Sequence, residues 1–285
     1  MALLDSILSM TGSLGNLSFY KVKGSNKVHV RLKGGVSKER MKTDPSFAMS
    51  RLHQQEFAGR TLAGQLVAHA TYPLRSIRNY DLVRALHAPF KAIQDRDTKN
   101  KLGERGISLS EYPRMLEGLS LNTTSNLESI VAPSIQHSIS ETGEAIVQIP
   151  ELIPGINLHL PRTSQYYRIV AVLGAVPDIH HQNGKYVSSI PNLRRGPRIY
   201  DTTEWFHSSS IMDSRTFRLA PTDVLATSKV VWILSLGLEI GHMKVFDRIE
   251  TVDDAGAARI LRIVPGGNAG ESPSQDVAFE KNDGQ

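Results

Sequence analysis

The second half of the chain contains two nearly continuous apolar runs, YYRIVAVLGAV (residues 166–176) and SKVVWILSLGLEI (residues 228–240). Both runs lack the polar alternation of a strand that faces water on one side. We therefore expect each run to form a central strand that is covered on both faces. This places the hydrophobic core around two strands that are far apart in sequence.

Shorter β-like runs surround these two, with prolines mostly between them. They lie at residues 116–122, 134–140, 144–150 and 257–264. No helical periodicity connects the runs, which argues against the helical crossovers of a parallel sheet. Several short strands separated by turns are typical of an antiparallel sandwich. We predict a β-sandwich-like domain over residues 106–265, followed by a polar, disordered tail at residues 266–285.

A helical pattern precedes this domain, and we predict a helical region over residues 43–105. It begins at the tripeptide TDP (residues 43–45), because Thr or Asp can cap a helix and proline suits its first turn. A second helix is expected from about Leu74 to Asp95, with a kink or break at Pro89. The charged segment at residues 96–106 is interpreted as a loop.

Residues 1–42 are predicted to form a basic arm that contains a β-hairpin. Its strands are SFYKVK (residues 18–23) and KVHVRLK (residues 27–33), joined by a turn in which Gly24 and Asn26 can adopt positive φ. Apolar and cationic residues alternate in the second strand, so one face is apolar and the other is cationic. Because an isolated hairpin is marginal in water, we expect the arm to lie on another surface.

The charge distribution suggests an acidic partner for this arm. Residues 1–106 contain 18 Lys or Arg against 8 Asp or Glu, and the remainder contains 15 against 20. Both nucleic acid and the acidic half of a neighbouring copy fit this asymmetry, and a merely solvated, aggregation-resistant face is a third interpretation. The candidate contact residues are Phe19, Tyr20, Lys21, Lys27, Arg31, Lys33, Lys38 and Arg40.

The sequence contains no familiar catalytic motif. G-x-S-x-G, the P-loop, H-E-x-x-H and G-x-G-x-x-G are all absent from it. His180 and His181 follow Asp178 closely but lack a third histidine at metal-binding spacing, so we interpret them as loop residues. Two carboxylate pairs lie in polar turns: Asp95 with Asp97, and Asp253 with Asp254. We predict no catalytic residue, no metal and no cofactor.

Two smaller features occur in the acidic half. RRGPR (residues 194–198) is interpreted as a basic surface loop. Trp205 and Phe206 fit either an interface or, more simply, a core position on a strand.

The sequence also bears on the cellular compartment. It has no cysteine, which excludes disulfides and thiol chemistry. The start MALLDSILSM lacks the basic region of a signal peptide, and the apolar run at residues 230–240 is too short to span a bilayer as a helix. We therefore expect no membrane insertion and a cytoplasmic location, with release as an assembly left open.

Four segments resemble a family of uncharacterised proteins from Bacteroidetes-type bacteria. They are GSLGNLSFYK (residues 12–21), KGGVSKER (33–40), TDPSFAMSR (43–51) and LSLGLEI (234–240). Members of that family often have an Arg-Glu-Asn stretch where this chain has MSRLHQQEF (49–57). The resemblance implies a shared fold and lineage and assigns no site residue.

These observations predict an α+β fold, with an N-terminal β-hairpin arm and two helices followed by an antiparallel β-sandwich-like domain. The leading functional hypothesis is a non-enzymatic structural protein that assembles with copies of itself into a filament, tube or particle. The alternative is a nucleic-acid-binding protein that uses the basic hairpin. A third hypothesis is a ligand-binding β domain or an unrecognised hydrolase, for which a pocket with converging polar groups would be the sign.

Overall fold

The computed structural model describes residues 2–4, 11–22, 27–140, 142–190, 196–221, 230–244 and 248–266. The chain divides into two compact units, residues 1–52 and residues 53–285. The predicted turn at Gly24 and Asn26 lies outside the described residues, and so does the predicted tail after Gly266.

The N-terminal unit contains a four-stranded antiparallel sheet. Its strands are β1 (Ala2–Leu4), β2 (Gly12–Leu14), β3 (Leu17–Lys21) and β4 (Val28–Leu32). Their order is β1-β4-β3-β2, and Gly15 takes a positive φ of 53° in the tight turn between β2 and β3. The predicted hairpin is confirmed as β3 and β4, but it is flanked by a further strand on each side, which the sequence analysis did not anticipate.

Two helices follow this sheet, α1 (Lys38–Thr43) and α2 (Ala48–Ala70). The Ser37 hydroxyl caps α1 by accepting the backbone N–H of Arg40. Asp44 accepts the backbone N–H of Ser46, and Pro45 opens a short 3₁₀ turn that leads into α2. The predicted helix start at residues 43–45 is therefore confirmed.

The second predicted helix is wrong as a continuous element. The chain instead forms a 3₁₀ turn at Tyr72–Ile77, an extended residue at Arg78, and two short helices, α3 (Leu82–Ala85) and α4 (His87–Gln94). Asp81 restarts the helix by accepting the backbone N–H of Arg84. Pro89 lies in the first turn of α4, where its missing N–H removes no helical hydrogen bond, so it does not break the helix.

In its described residues, the C-terminal unit continues with a one-turn helix, α5 (Leu127–Ile130), and eleven strands. The strands are β5 (Gln136–Ile139), β6 (Ala145–Ile149), β7 (Tyr166–Val176), β8 (Ile179–Gln182), β9 (Lys185–Ser188), β10 (Arg198–Thr202), β11 (Phe206–His207), β12 (Arg215–Leu219), β13 (Val231–Lys244), β14 (Arg248–Thr251) and β15 (Ala257–Pro265). The predicted strand at residues 116–122 is wrong, because only Ser120 makes an isolated bridge there, to Arg259.

β7 and β13 form the centre of a six-stranded antiparallel sheet. They pair along eleven residues, from Val231 opposite Val176 to Gly241 opposite Tyr166. β10 and β11 pair with the other edge of β7, and β14 and β15 pair with the other edge of β13. A separate three-stranded sheet has the order β12-β6-β5, and β8 pairs with β9.

Both faces of the central sheet are buried, as the two apolar runs predict. Val170, Val172 and Ile233 share one hydrophobic core with the helical residues Leu66 and Phe90. Alternate residues on the same two strands pack in a second core with the three-stranded sheet, and examples are Tyr167, Leu173, Trp232, Val147 and Phe217. The fold is thus α+β, with a helical layer on one side of a β-rich domain.

Two glycines let the helical layer approach the central sheet closely. A Cβ at Gly174 of β7 would lie 2.5 Å from the Cβ of Ala70, at the end of α2. A Cβ at Gly237 of β13 would lie 2.6 Å from Leu74 and 2.8 Å from Ile77, both in the 3₁₀ turn. Close packing at these two points fixes the backbone of the segment from Ala70 to Ile77 against the sheet.

A buried carboxylate holds the same segment. Glu239 of β13 is 2% exposed, and its Oε1 accepts the Ser76 hydroxyl at 2.5 Å. Its Oε2 accepts Nε and Nη2 of Arg168 at 2.7 and 2.6 Å, and the Arg168 guanidinium lies 4.4 Å from the Trp205 ring centroid. In the LGLE sequence (residues 236–239), the two leucines thus pack in the core between the sheets. The glycine and the glutamate lie on the other face of the strand and contact the 3₁₀ turn. Trp205 itself is half-buried beneath an arginine.

A second buried carboxylate, Glu56 of α2, anchors the loop at residues 96–106. It accepts the backbone N–H of Gly103 at 3.0 Å and Nε and Nη2 of Arg105 at 2.6 and 2.8 Å. Burial by itself raises the pKa of Glu56, but the hydrogen bonds from Arg105 and Gly103 outweigh it, so the pKa is lowered below its ordinary value of 4.5.

This lowered pKa predicts an acid-dependent contribution to stability. The stabilisation is present above the unfolded-state pKa and is lost as pH falls through the lower folded-state pKa. We expect Glu56→Gln to reduce the free energy of unfolding by about 2 kcal/mol at pH 7 and to destabilise much less at pH 3. Urea denaturation at both pH values measures this. Glu144→Gln, at an exposed position, is the control, and an equal effect of Glu56→Gln at both pH values would contradict the assignment.

Candidate functional site

The N-terminal sheet has an apolar face that the strand register defines. Directly paired residues of an antiparallel ladder lie on the same face. Leu17 pairs with Leu32, Phe19 with Val30, and Lys21 with Val28. Val28 and Val30 are buried, at 5% and 9% exposure. We expected the arm to need another surface to cover its apolar face, but Val28 and Val30 of that face are already buried within the single chain.

One end of this apolar face is exposed. Leu14 pairs with Leu17, which pairs in turn with Leu32, so the three side chains form a row across β2, β3 and β4. We call Leu14, Leu17 and Leu32 the leucine row. Leu14 is 65% exposed and Leu32 is 72% exposed. A row of leucines on a sheet whose two outer members are largely exposed, with the half-buried Leu17 between them, is a candidate contact surface.

The opposite face carries an aromatic and cationic cluster. Tyr20 pairs with His29, and their rings are stacked with centroids 5.5 Å apart. The Arg31 guanidinium lies 5.5 Å from the Tyr20 ring centroid. The Tyr20 ring is therefore already contacted by two side chains of its own sheet, and a nucleic-acid base that stacks there would compete with them.

The predicted contact residues are divided among several surfaces. Tyr20 and Arg31 lie on the cationic face, whereas Phe19 and Lys21 lie on the apolar face, because successive side chains of a strand alternate. The remaining ones are exposed and lie outside the strands: Lys27 and Lys33 flank β4, and Lys38 and Arg40 lie on α1. The Arg40 side chain forms an ion pair with Asp44 at 2.9 Å.

The edge strands of the sheets differ in charge. β10, β12, β14 and β15 each carry arginine, whereas β1, β2 and β5 contain no Lys, Arg, Asp or Glu. Charged side chains on an edge strand oppose pairing with another molecule. β2 and β5 lie at the edges of their sheets. Because they carry no charged side chain, charge does not oppose their pairing with a strand of another molecule.

The residues considered for a metal site do not converge. Asp178 accepts the backbone N–H and the hydroxyl of Ser110. His180 and His181 alternate on β8, and His181 contacts Gln55, with 2.6 Å between the two side-chain nitrogens. Within the described part of the chain, no three His, Asp or Glu side chains are gathered as a metal site requires.

The chain was also compared with known proteins and structures. Comparisons with protein-family models, with curated proteins and with solved structures find no match. The resemblance to the Bacteroidetes-type family therefore stays a prediction. Among the described residues, no helix has the length and apolar character needed to cross a bilayer.

One group of polar residues was not predicted from the sequence. Arg75 and Arg78 were predicted in the second helix, Tyr72 lay between the two predicted helices, and Arg198 was predicted in a basic loop. The structure brings these four side chains to a common cavity in the C-terminal unit. The only local signal is a pair of arginines three residues apart with no acidic neighbour, in PLRSIRN.

Proposed function

We propose that the protein is a non-enzymatic structural protein that assembles with copies of itself through its N-terminal sheet. The leucine row carries the proposal, because it leaves two largely exposed leucines beside a buried apolar face. A cytoplasmic location, with release of the finished assembly, belongs to the same proposal.

The leucine row is too small to hold two copies together by itself, since stable interfaces bury about 800 Å² per partner. Strand addition supplies the additional contact. β2 ends the N-terminal sheet beside the leucine row, and its backbone can pair with an uncharged edge strand of another copy. We propose β5 as that strand, because it ends the three-stranded sheet and carries no charged side chain.

The charge distribution supports a second copy of the chain as the partner that binds the N-terminal sheet. Residues 1–52 carry 9 Lys or Arg against 3 Asp or Glu, while residues 107–285 carry 15 against 20. The N-terminal unit is thus basic and residues 107–285, which include β5, are acidic, and this difference favours contact between copies. Because β2 and β5 are different surfaces, the contact is heterologous, and each added copy leaves a free β2 and a free β5. Such a contact extends into a filament or closes into a ring or particle.

The test is the molar mass of the protein in solution. We expect the wild-type chain, at tens of micromolar, to elute as species larger than a monomer in size-exclusion chromatography with light scattering. Leu14→Lys with Leu32→Lys is expected to give a monomer, because it places charges in the contact. Negative-stain microscopy of the wild-type species reports its shape.

The matched control is Ser18→Lys, which adds a charge on the opposite face of the central strand β3 and is expected to leave the assembly intact. A wild-type monomer at this concentration, or an assembly that survives the double leucine substitution, would overturn the proposal. Circular dichroism shows whether each variant remains folded.

Nucleic acid is the second candidate partner, favoured by the excess of nine Lys or Arg over three Asp or Glu in residues 1–52. The ratio of absorbance at 260 and 280 nm of protein purified at low salt discriminates between the two proposals. Binding through phosphate contacts would also weaken steeply with salt. This alternative fails if reversing the charges of Lys27, Arg31 and Lys33 leaves oligonucleotide binding unchanged.

A further inference from the structure

The C-terminal unit contains an open cavity of about 770 Å³ whose polar lining is basic. Its volume is in the range of small-molecule sites. The polar residues that line it are Gln65, His69, Tyr72, Arg75, Arg78 and Arg198. No carboxylate of the described residues lines this cavity. The cavity therefore presents hydrogen-bond donors and positive charge to whatever enters it.

The register between β10 and β7 places Arg198 at this cavity. Arg198 of β10 pairs with Gly174 of β7, the residue against which the end of α2 packs. Its Nη1 lies 3.0 Å from Nδ1 of His69 and 3.4 Å from the His69 carbonyl oxygen. Its guanidinium carbon lies 4.7 Å from the ring centroid of Tyr72. Because these contacts restrain a planar fork of donors, Arg198 is suited to bind an oxyanion.

Arg75 and Arg78 follow Tyr72 in the chain and line the same cavity. The Arg75 guanidinium lies 6.0 Å from the Tyr72 ring centroid. Arg78 is half-buried, and burial together with the like charge of Arg75 lowers its pKa, although arginine stays protonated at neutral pH. No carboxylate among the described residues forms an ion pair with Arg75, Arg78 or Arg198.

This arrangement is unfavourable in the unliganded protein. Removing a guanidinium from water has a cost that a nearby carboxylate normally offsets, and two adjacent arginines repel each other. Elsewhere in the same unit, the half-buried Arg105 and Arg168 each have a glutamate partner. Arg78 and Arg198 are also half-buried but have no such partner among the described residues, and an anion bound beside them and the exposed Arg75 would supply the missing negative charge.

A neighbouring cavity limits the size of that anion. It has a volume of about 640 Å³, shares Tyr72, Arg75 and Arg78 with the basic cavity, and is lined by Asp81, Asp253 and Asp254. A long polyanion that continued in this direction would meet three carboxylates. The charge pattern therefore favours a small molecule with one anionic end over a nucleic-acid strand.

We propose that the basic cavity binds the phosphate group of a small phosphorylated molecule through Arg75, Arg78 and Arg198, beside the ring of Tyr72. Phosphate offers several acceptor oxygens and up to two negative charges, which three arginines that line one cavity can match. This site does not depend on the N-terminal sheet or on assembly.

Isothermal titration calorimetry of the full chain tests the proposal, with inorganic phosphate and pyrophosphate as probes. We expect saturable binding to the wild-type protein, with pyrophosphate binding more tightly. Arg78→Gln and, separately, Arg75→Gln are expected to weaken pyrophosphate binding roughly tenfold or more. Arg114→Gln, at an exposed position outside the cavity, is the matched control and is expected to bind as the wild type does.

Thermal unfolding separates loss of the site from loss of the fold. Without ligand, we expect Arg78→Gln to melt at the wild-type temperature or above it, because it removes a desolvated charge. Arg75 is exposed, so its substitution gives a folded variant in any case. Failure of both probes to bind the wild type at millimolar concentration would overturn the proposal, as would binding of pyrophosphate with wild-type affinity by both arginine variants. Tighter binding of a deoxythymidine decamer that needs Arg78 would also overturn it, in favour of nucleic acid.

Discussion

Glu239→Ala is expected to lower the free energy of unfolding of the C-terminal unit by about 3 kcal/mol. The substitution leaves the Arg168 guanidinium without its carboxylate and removes the acceptor of the Ser76 hydroxyl. The Arg168 side chain is 29% exposed, so part of it reaches water. We therefore expect a loss of stability near the lower end of the range for removing one partner of a buried ion pair. Urea denaturation at pH 7 measures the change.

Two further variants test whether the loss of stability comes from the buried ion pair. Glu250→Ala breaks an ion pair with Lys244 between β14 and β13, but both partners are exposed, so we expect a far smaller loss than for Glu239→Ala. Combining Glu239→Leu with Arg168→Met removes both charges and is expected to recover most of the stability. If the Glu239 and Glu250 variants are equally stable, Glu239 does not anchor the 3₁₀ turn.

Gly174→Ala is expected to have a similarly large effect, about 3 kcal/mol, for a steric reason. The added methyl would lie 2.7 Å from the carbonyl oxygen and 2.8 Å from the Cα of Ala70. These are backbone atoms near the end of α2, so no side-chain rotation relieves the clash. Either α2 or β7 must move, and thermal unfolding followed by circular dichroism measures the cost.

Gly34→Ala is the matched control for this substitution. The nearest heavy atom to a Cβ at Gly34 is 4.0 Å away, and its φ is not in the left-handed region. We expect its stability to be unchanged or slightly higher, because alanine restricts the unfolded chain. A Gly174→Ala protein as stable as this control would show that the contact with Ala70 is looser than described.

Strands that are apolar on both faces were predictable from the sequence. The run at residues 166–176 forms β7 with the same ends, since a long apolar run rich in valine and isoleucine and without helical periodicity favours a doubly covered strand. Alternation likewise predicted the two faces of β4. Polar or short strands such as β8, β9 and β14 were missed, because their pairing depends on neighbours that are distant in sequence.

The segment at residues 72–78 shows why the basic cavity was not predictable. Its composition permits a helix, and its 3₁₀ and extended conformation arises from Pro73, from the Asp81 cap and from packing against Gly237. Arg198 enters the cavity through the β10–β7 register, which local sequence does not encode. Tertiary packing thus decides which arginines converge.

β13 sends alternate side chains into the two hydrophobic cores, with Ile233 on one side and Trp232 on the other. A strand shared in this way joins the layers into one cooperative unit. If either layer separates, one face of the shared strand becomes exposed and the other layer loses stability. Neither layer therefore stays folded alone. A protease that acts on this unit therefore cleaves exposed loops or the globally opened chain, and no stable half-sized fragment accumulates.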